Sequence, residues 1–263
     1  MHLEVSYLLD TDSCINAIRR FVARRGPVKV MYSDNGTNLV GAYRELKTAV
    51  EHWNQQRIHD HLLLNGIDWK FNPPSASHFG GVWERMIRSV RRVLYGLMKK
   101  QCVKMDDEAM STLLCEVENI VNSRPITKLN DDPDDIEALT PNHLLLLRQG
   151  SELPCGLFSK NDSYSRRRWK QVQYLADIFW SRWSKEYLTA LQERQKWFKP
   201  RRNVMVDDIV LIMDSAPRNS WCLGKVVAVQ PDRKGLVRVA EIKTKTSVLL
   251  RPVHKLCVLL EAE

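Results

Sequence analysis

Apolar residues follow a helical period along most of the chain up to about residue 200, and a strand-like alternation after it. Residues 2–9 read as a strand. Ile15, Ile18, Phe21 and Val22 then form an apolar stripe that Asp12 or Ser13 can cap and Gly26-Pro27 ends. Val28–Ser33 is a short apolar run stopped by Asp34-Asn35-Gly36, so the start of the chain predicts a strand–helix–strand unit of a parallel or mixed α/β sheet. A second helix over 41–64 carries Leu46, Val50 and Trp53. Asp68–Phe71 reads as a strand broken by Pro73-Pro74, with a loop from Ser75 to Gly81. Trp83, Met86, Ile87, Val90, Leu94 and Leu97 then share one face of a helix, and another helix fits 106–122. Residues 124–165 are rich in Pro, Asp and Ser and read as mostly irregular.

The most regular helical pattern covers 166–196, where Trp169, Val172, Ala176, Phe179, Trp183, Tyr187 and Leu191 recur every three or four residues before Lys199-Pro200. Beyond it, Asp208–Met213, Trp221–Gln230, Leu236–Lys243 and Ser247–Leu250 are runs rich in Val, Ile and Leu, separated by turn residues. Four or five short strands in so little chain predict a small barrel. No internal repeat or low-complexity tract interrupts this order.

Composition sharpens the picture. Hydrophobic residues make up 44% of the 263, enough for a packed core. No apolar run approaches the roughly 18 residues of a membrane span, and the N-terminus lacks a signal-peptide pattern, so the expectation is a soluble intracellular protein without a membrane partner. The six cysteines, Cys14, Cys102, Cys115, Cys155, Cys222 and Cys257, form no CxxC pair and read as buried thiols in a reducing compartment. The net charge of +9 is uneven: residues 1–150 hold 19 basic and 19 acidic residues, leaving 21 of the 40 basic but only 12 of the 31 acidic residues to 151–263. A basic segment attached to a neutral one suggests a polyanion partner; a solubilising surface is the alternative.

Two carboxylates stand out. Asp34 closes a buried strand, where α/β sheets gather their ligands, and Glu84 lies in the first turn of the helix after a Gly-Gly loop. Converging, they suit Mg2+ or Mn2+, which take oxygen ligands and serve phosphoryl transfer, although a two-metal site wants a third acid. The plain alternatives are an Asp-Asn-Gly turn and a glutamate favoured by the helix dipole. Arg88, Arg91 and Arg92 follow Glu84 and would suit a DNA backbone; a solvated face with a Glu84–Arg88 pair is the competing view. His78, in the preceding loop, reads as a phosphate contact or a structural hydrogen-bonding residue. Two tracts mix cations with aromatics: Arg166, Arg167, Arg168, Trp169 and Lys170, and Lys196 to Arg202 with Lys199, Arg201 and Arg202. Such mixtures suit nucleic acid, by phosphate pairing and stacking; snorkelling around a helix core or a nuclear-import signal are the alternatives.

Tyr32-Ser33-Asp34-Asn35-Gly36-Thr37-Asn38 resembles the second-aspartate motif of retroviral and retrotransposon integrases. Pro73-Pro74 and His78-Phe79-Gly80-Gly81-Val82-Trp83-Glu84 resemble the segment that delivers their catalytic glutamate. The form of this motif, with 49 residues between Asp34 and Glu84, is similar to the BEL/Pao class of long-terminal-repeat retrotransposons. Arg168 to Ala176, Phe179-Trp180, Trp183 and Arg251-Pro252-Val253 resemble the domain that follows the core in those polyproteins. The resemblance implies an α/β protein: a truncated RNase H-like core over 1–150, a basic helical linker over 151–200 and a small SH3-like β-barrel over 201–263. It also implies a metal-dependent polynucleotidyl transferase with an Asp–Asp–Glu triad. Asp34 matches the second aspartate and Glu84 the glutamate. His2-Leu3-Glu4-Val5 resembles the third strand of that core, so the strand bearing the first aspartate has no counterpart here, and Asp10 and Asp12 are poor substitutes.

The expectation is an integrase-derived, DNA-binding and catalytically incomplete protein, holding Mg2+ or Mn2+ weakly through Asp34 and Glu84. It would work in the nucleus, with the cytoplasm also open. A domesticated binding module and a structural or oligomerising protein, with a second copy of the chain as partner, are the rival readings.

Overall fold

The computed structural model describes residues 1–6, 8–33, 37–52, 68–71, 81–101, 105–128, 138–146, 156, 158–164, 167–191, 202–214 and 216–262. They form two compact units, one of residues 2–89 and the other of 90–263 with Met1. The division falls within a helix.

In the first unit, α1 (Thr11–Arg25) starts at Asp10, whose carboxylate accepts the Ser13 N–H at 2.7 Å, and ends at Gly26, whose φ of 89° favours glycine. β1 (Val30–Ser33) leads through α2 (Thr37–His52) to β2 (Asp68–Phe71), and the two strands pair in parallel from Val30↔Asp68 to Ser33↔Phe71. This is the βαβ grammar read from the sequence, but α2 rather than α1 precedes the second strand of the pair. Tyr43 of α2 packs edge-on against Trp69 and Phe71, which stack at 5.8 Å. The Trp69 indole N–H donates to the buried Ser33 Oγ at 2.8 Å.

The strand expected over residues 2–9 is absent among the described residues. Its polar groups have other partners. Glu4 takes Arg20 at 2.6 Å and Arg24 at 2.9 Å, and the Val5 carbonyl accepts from Arg20 at 2.5 Å, so the segment is tied to α1 by arginines instead of by a ladder. Partial burial pushes the Glu4 carboxyl up, but Arg20, His2 and Arg24 outweigh it and hold it below the usual carboxylate range.

α3 (Gly81–Gln101) runs across the division and buries Val90, Val93 and Leu97 in the second unit. α4 (Asp107–Asn122) is capped by Asp106, which accepts the Ala109 N–H at 2.9 Å, and buries Ala109, Leu113, Val117, Ile120 and Val121. Cys115 lies off that face and is exposed, against the expectation of a buried thiol; Cys14 and Cys257 are buried. The region read as irregular holds the two-residue strands β3 (Thr127–Lys128) and β4 (Ala138–Leu139), the short α5 (Pro141–Leu146) and a 3-10 turn (Lys160–Tyr164).

α6 (Arg168–Leu191) is the long helix expected, and it buries Val172, Leu175, Ala176, Phe179, Trp180, Trp183 and Leu188. These exceed one face because two bodies press on it. α4 covers one side. On the other, Leu188 joins Ala138, Leu211, Leu223 and Cys257 of the sheet region in one cluster. α6 is thus packed on both sides. The sheet runs β8 (Val248–Pro252), β7 (Val237–Lys243), β6 (Leu223–Pro231), β5 (Ile209–Ile212), β9 (Leu256–Leu260), antiparallel throughout. β5 alternates between two cores: Leu211 faces the α6 cluster, while Val210 and Ile212 join Val226, Ala240, Ile242 and Leu256.

The expected barrel is not closed: β8 and β9 are the two edges of an open sheet. Register shifts in β5 and β6 bend the strands. One 3-10 turn, Val253–Lys255, carries the chain from one edge strand to the other. Three residues span only about 10 Å, so the sheet curls without joining its edges.

Asp208 anchors the entry to this sheet. Its carboxylate is fully buried and receives the Arg202 guanidinium at 2.9 and 3.0 Å and the N–H groups of Met205 and Ala262 at 2.8 Å. Burial pushes the carboxyl up, but these donors outweigh it and hold it below its ordinary value. A carboxyl with a depressed folded pKa contributes stability that is present above its unfolded value and lost as pH falls through the folded one. Asp208→Asn is expected to cost about 3 kcal/mol in denaturant unfolding at pH 7. That gap to the parent protein should narrow below about pH 4.

Candidate nucleic-acid interface

The two carboxylates singled out in the sequence belong to the first unit. β1 is described up to the buried Ser33; Asp34, the next residue, lies outside the described residues, as do His78, Arg166, Lys199 and Arg201. Glu84 sits half-buried in the first turn of α3 and makes no ion pair with Arg88 among the described residues. Asp10 spends its carboxylate on the α1 cap. No group of three or more His, Cys, Asp or Glu side chains able to hold a metal occurs among the described residues.

The cations divide by their partners. Arg88 and Arg91 are exposed on α3, spaced to lie on one face, and form no ion pair among the described residues. Arg92, also exposed, meets Glu186 of α6 at 2.5 Å. At the start of α6, Arg168 pairs with Asp106, the α4 cap residue, and Lys170 lies 3.7 Å from Asp162 in the 3-10 turn; Arg167 is exposed. Arg202 is bound to Asp208 and also reaches the Ala262 carbonyl at 3.3 Å. Arg202 therefore has a structural duty, whereas Arg88 and Arg91 have none of that kind.

Sequence reasoning passed over a second set of polar residues around α6. Arg218, almost wholly buried, donates to Gln173 Oε1 at 2.5 Å and lies 3.4 Å from Asp177. Gln173 in turn donates to Glu116 of α4 at 2.8 Å. Burial pushes the Asp177 carboxyl above its ordinary value, with Arg218 opposing the shift. Nearby, Trp221 packs against Trp180, Trp183 and Tyr187, the Trp180 N–H donates to the Ala216 carbonyl at 3.0 Å, and the Tyr187 hydroxyl donates to the Pro125 carbonyl at 2.8 Å. These contacts fasten α6 to the sheet and to α4. A lone arginine in a turn gave no signal in the sequence. Trp169, read there both as part of the helical repeat and as part of a cation–aromatic tract, is 57% exposed.

A family of unknown function (DUF5641) matches residues 167–259, about a third of the chain, from the start of α6 into β9. The match thus takes in the helix and the sheet together. No curated protein matches the chain. No described helix is long and apolar enough to cross a membrane.

Arg88→Ala with Arg91→Ala is expected to leave the melting temperature unchanged while lowering retention on a DNA column, the salt slope falling by about 0.9 for each phosphate no longer neutralised. Arg92→Ala should lower both, with a stability loss within the ~1 kcal/mol of exposed pairs.

Proposed function

We propose that the chain is an integrase-derived protein that binds DNA through phosphate contacts of its basic C-terminal part. The observation that carries this reading is the charge distribution: the whole positive excess falls in 151–263, the part that contains the DUF5641 match. Domains of that family often occur at the C-terminus of retrotransposon polyproteins. The motifs around Asp34 and Glu84 support descent from the polynucleotidyl transferases of such elements. An RNase H-like core bearing the two carboxylates, and an SH3-like module for the curled sheet with its 3-10 turn before the last strand, complete the reading.

Asp34 and Glu84 fit Mg2+ or Mn2+ in kind, since both supply carboxylate oxygens, and fall short in number. Asp10, one of the two poor substitutes for the third acid, is spent on its helix cap. When bound, the metal would supply charge stabilisation for phosphoryl transfer; Glu84, half-buried at the start of α3, is one residue that would hold it.

A titration of the full chain with duplex DNA across salt concentrations tests the reading. Expected is binding with little sequence preference and a log–log slope of about −0.9 per phosphate contact. A flat titration would remove the electrostatic mode. With Mn2+ and a DNA-end substrate, the 263-residue chain is expected to give no strand transfer. Strand transfer that Glu84→Gln abolishes would show a complete site.

A further inference from the structure

Trp169 is out of place on α6. The helix hides Trp180 and Trp183, yet Trp169 is 57% exposed. Burying an indole is strongly favourable, so an exposed one held in position invites explanation. It is held: Phe158 meets it edge-to-face at 5.8 Å with the ring planes perpendicular. Gly156 lies close to Phe158: an added Cβ would stand 2.7 Å from the Phe158 ring. Phe158 and the Lys170 ammonium cover only part of the indole, which stays 57% exposed.

The surroundings are cationic. Lys170 Nζ lies 5.9 Å from the indole centroid, and Arg167 and Arg168 on the preceding positions are exposed. Arg168 pairs with Asp106, and Lys170, the cation over the ring, lies 3.7 Å from Asp162. An immobilised, half-open aromatic face flanked by cations has the components of a stacking site for a base whose phosphates pair with the neighbouring charges. A base within a duplex presents its edge, its faces being taken by its neighbours. An unpaired base, or the outermost pair at a duplex end, can offer a face.

We infer that Trp169 is a stacking platform for an unpaired nucleobase, giving the chain a preference for single-stranded segments or frayed ends over continuous duplex. This rests on the nucleic-acid reading above and adds a residue and a substrate form to it. The ring is outside the core, so its replacement should leave folding intact.

The test compares binding of the full chain to a short oligothymidine, to the same strand with abasic sites, and to a duplex of equal length. The parent protein is expected to prefer the oligothymidine over the abasic strand. Trp169→Ala should lower affinity for oligothymidine about tenfold and leave duplex and abasic binding within twofold. Trp169→Phe should restore most of the loss, and the melting temperature should not move. Equal loss on all three probes, or no loss on any, would overturn the stacking role while leaving the general nucleic-acid reading standing. Absence of binding to every probe at low salt would overturn both. A change in sedimentation instead of binding would assign the ring to contact with a second copy of the chain and overturn the inference.

Discussion

The second unit depends on the double burial of α6. A helix of 24 residues gains most of its stability from what it buries, and α6 buries residues on more than one face because α4 packs against one side and the curled sheet against another. Phe179 and Leu175 are fully buried. Trp180, Trp183 and Tyr187 close around Trp221 from the sheet side. Polar groups follow the apolar ones inward: Arg218, Gln173, Asp177 and Glu116 link the turn before β6 to α6 and α4. Such a chain of buried or half-buried polar contacts specifies one orientation of the helix as well as its burial.

The sheet follows the same logic. β5 is apolar at every position because both of its faces are covered, Leu211 toward α6 and Val210 and Ile212 toward the inside of the curl. Asp208, just before it, collects two backbone N–H groups and a bidentate arginine, so the strand's start and the chain's last residues meet at one carboxylate. α6 and the sheet share one core, and the exposed start of α6 carries Trp169, Arg168 and Lys170, with Arg167 just before it. Arg168 pairs there with Asp106, and Lys170 lies 3.7 Å from Asp162 of the 3-10 turn.

Much of this was legible wherever one period ran long enough. α4 and β2 appear at or within a residue of the positions their patterns predict, and α6 begins two residues late. The short elements were not legible: β3 and β4 have two residues each, and α5 has six, below any useful window. β9 was not named, the last run read having ended at Leu250; only Val253–Lys255 separates it from β8, without a glycine to mark the turn. The N-terminal strand failed for a different reason. Its alternation is compatible with a ladder, but Glu4 and the Val5 carbonyl are satisfied by Arg20 and Arg24, a tertiary choice no local pattern records. Of the candidate site, the sequence marked which residues carry charge and not which charges are already paired. Arg202 and Arg88 look alike in the sequence; one holds Asp208 and the other makes no ion pair among the described residues.

Native-state hydrogen exchange tests most directly whether α6 and the sheet are one body. The account predicts that the central amides of α6, from Val172 to Leu188, open with the same free energy as those of β5, because neither element keeps its core without the other. Exchange through α6 at a much lower opening free energy than through β5 would contradict it. The helix would then be a connector that docks and undocks, and the surface at its start would have no fixed geometry.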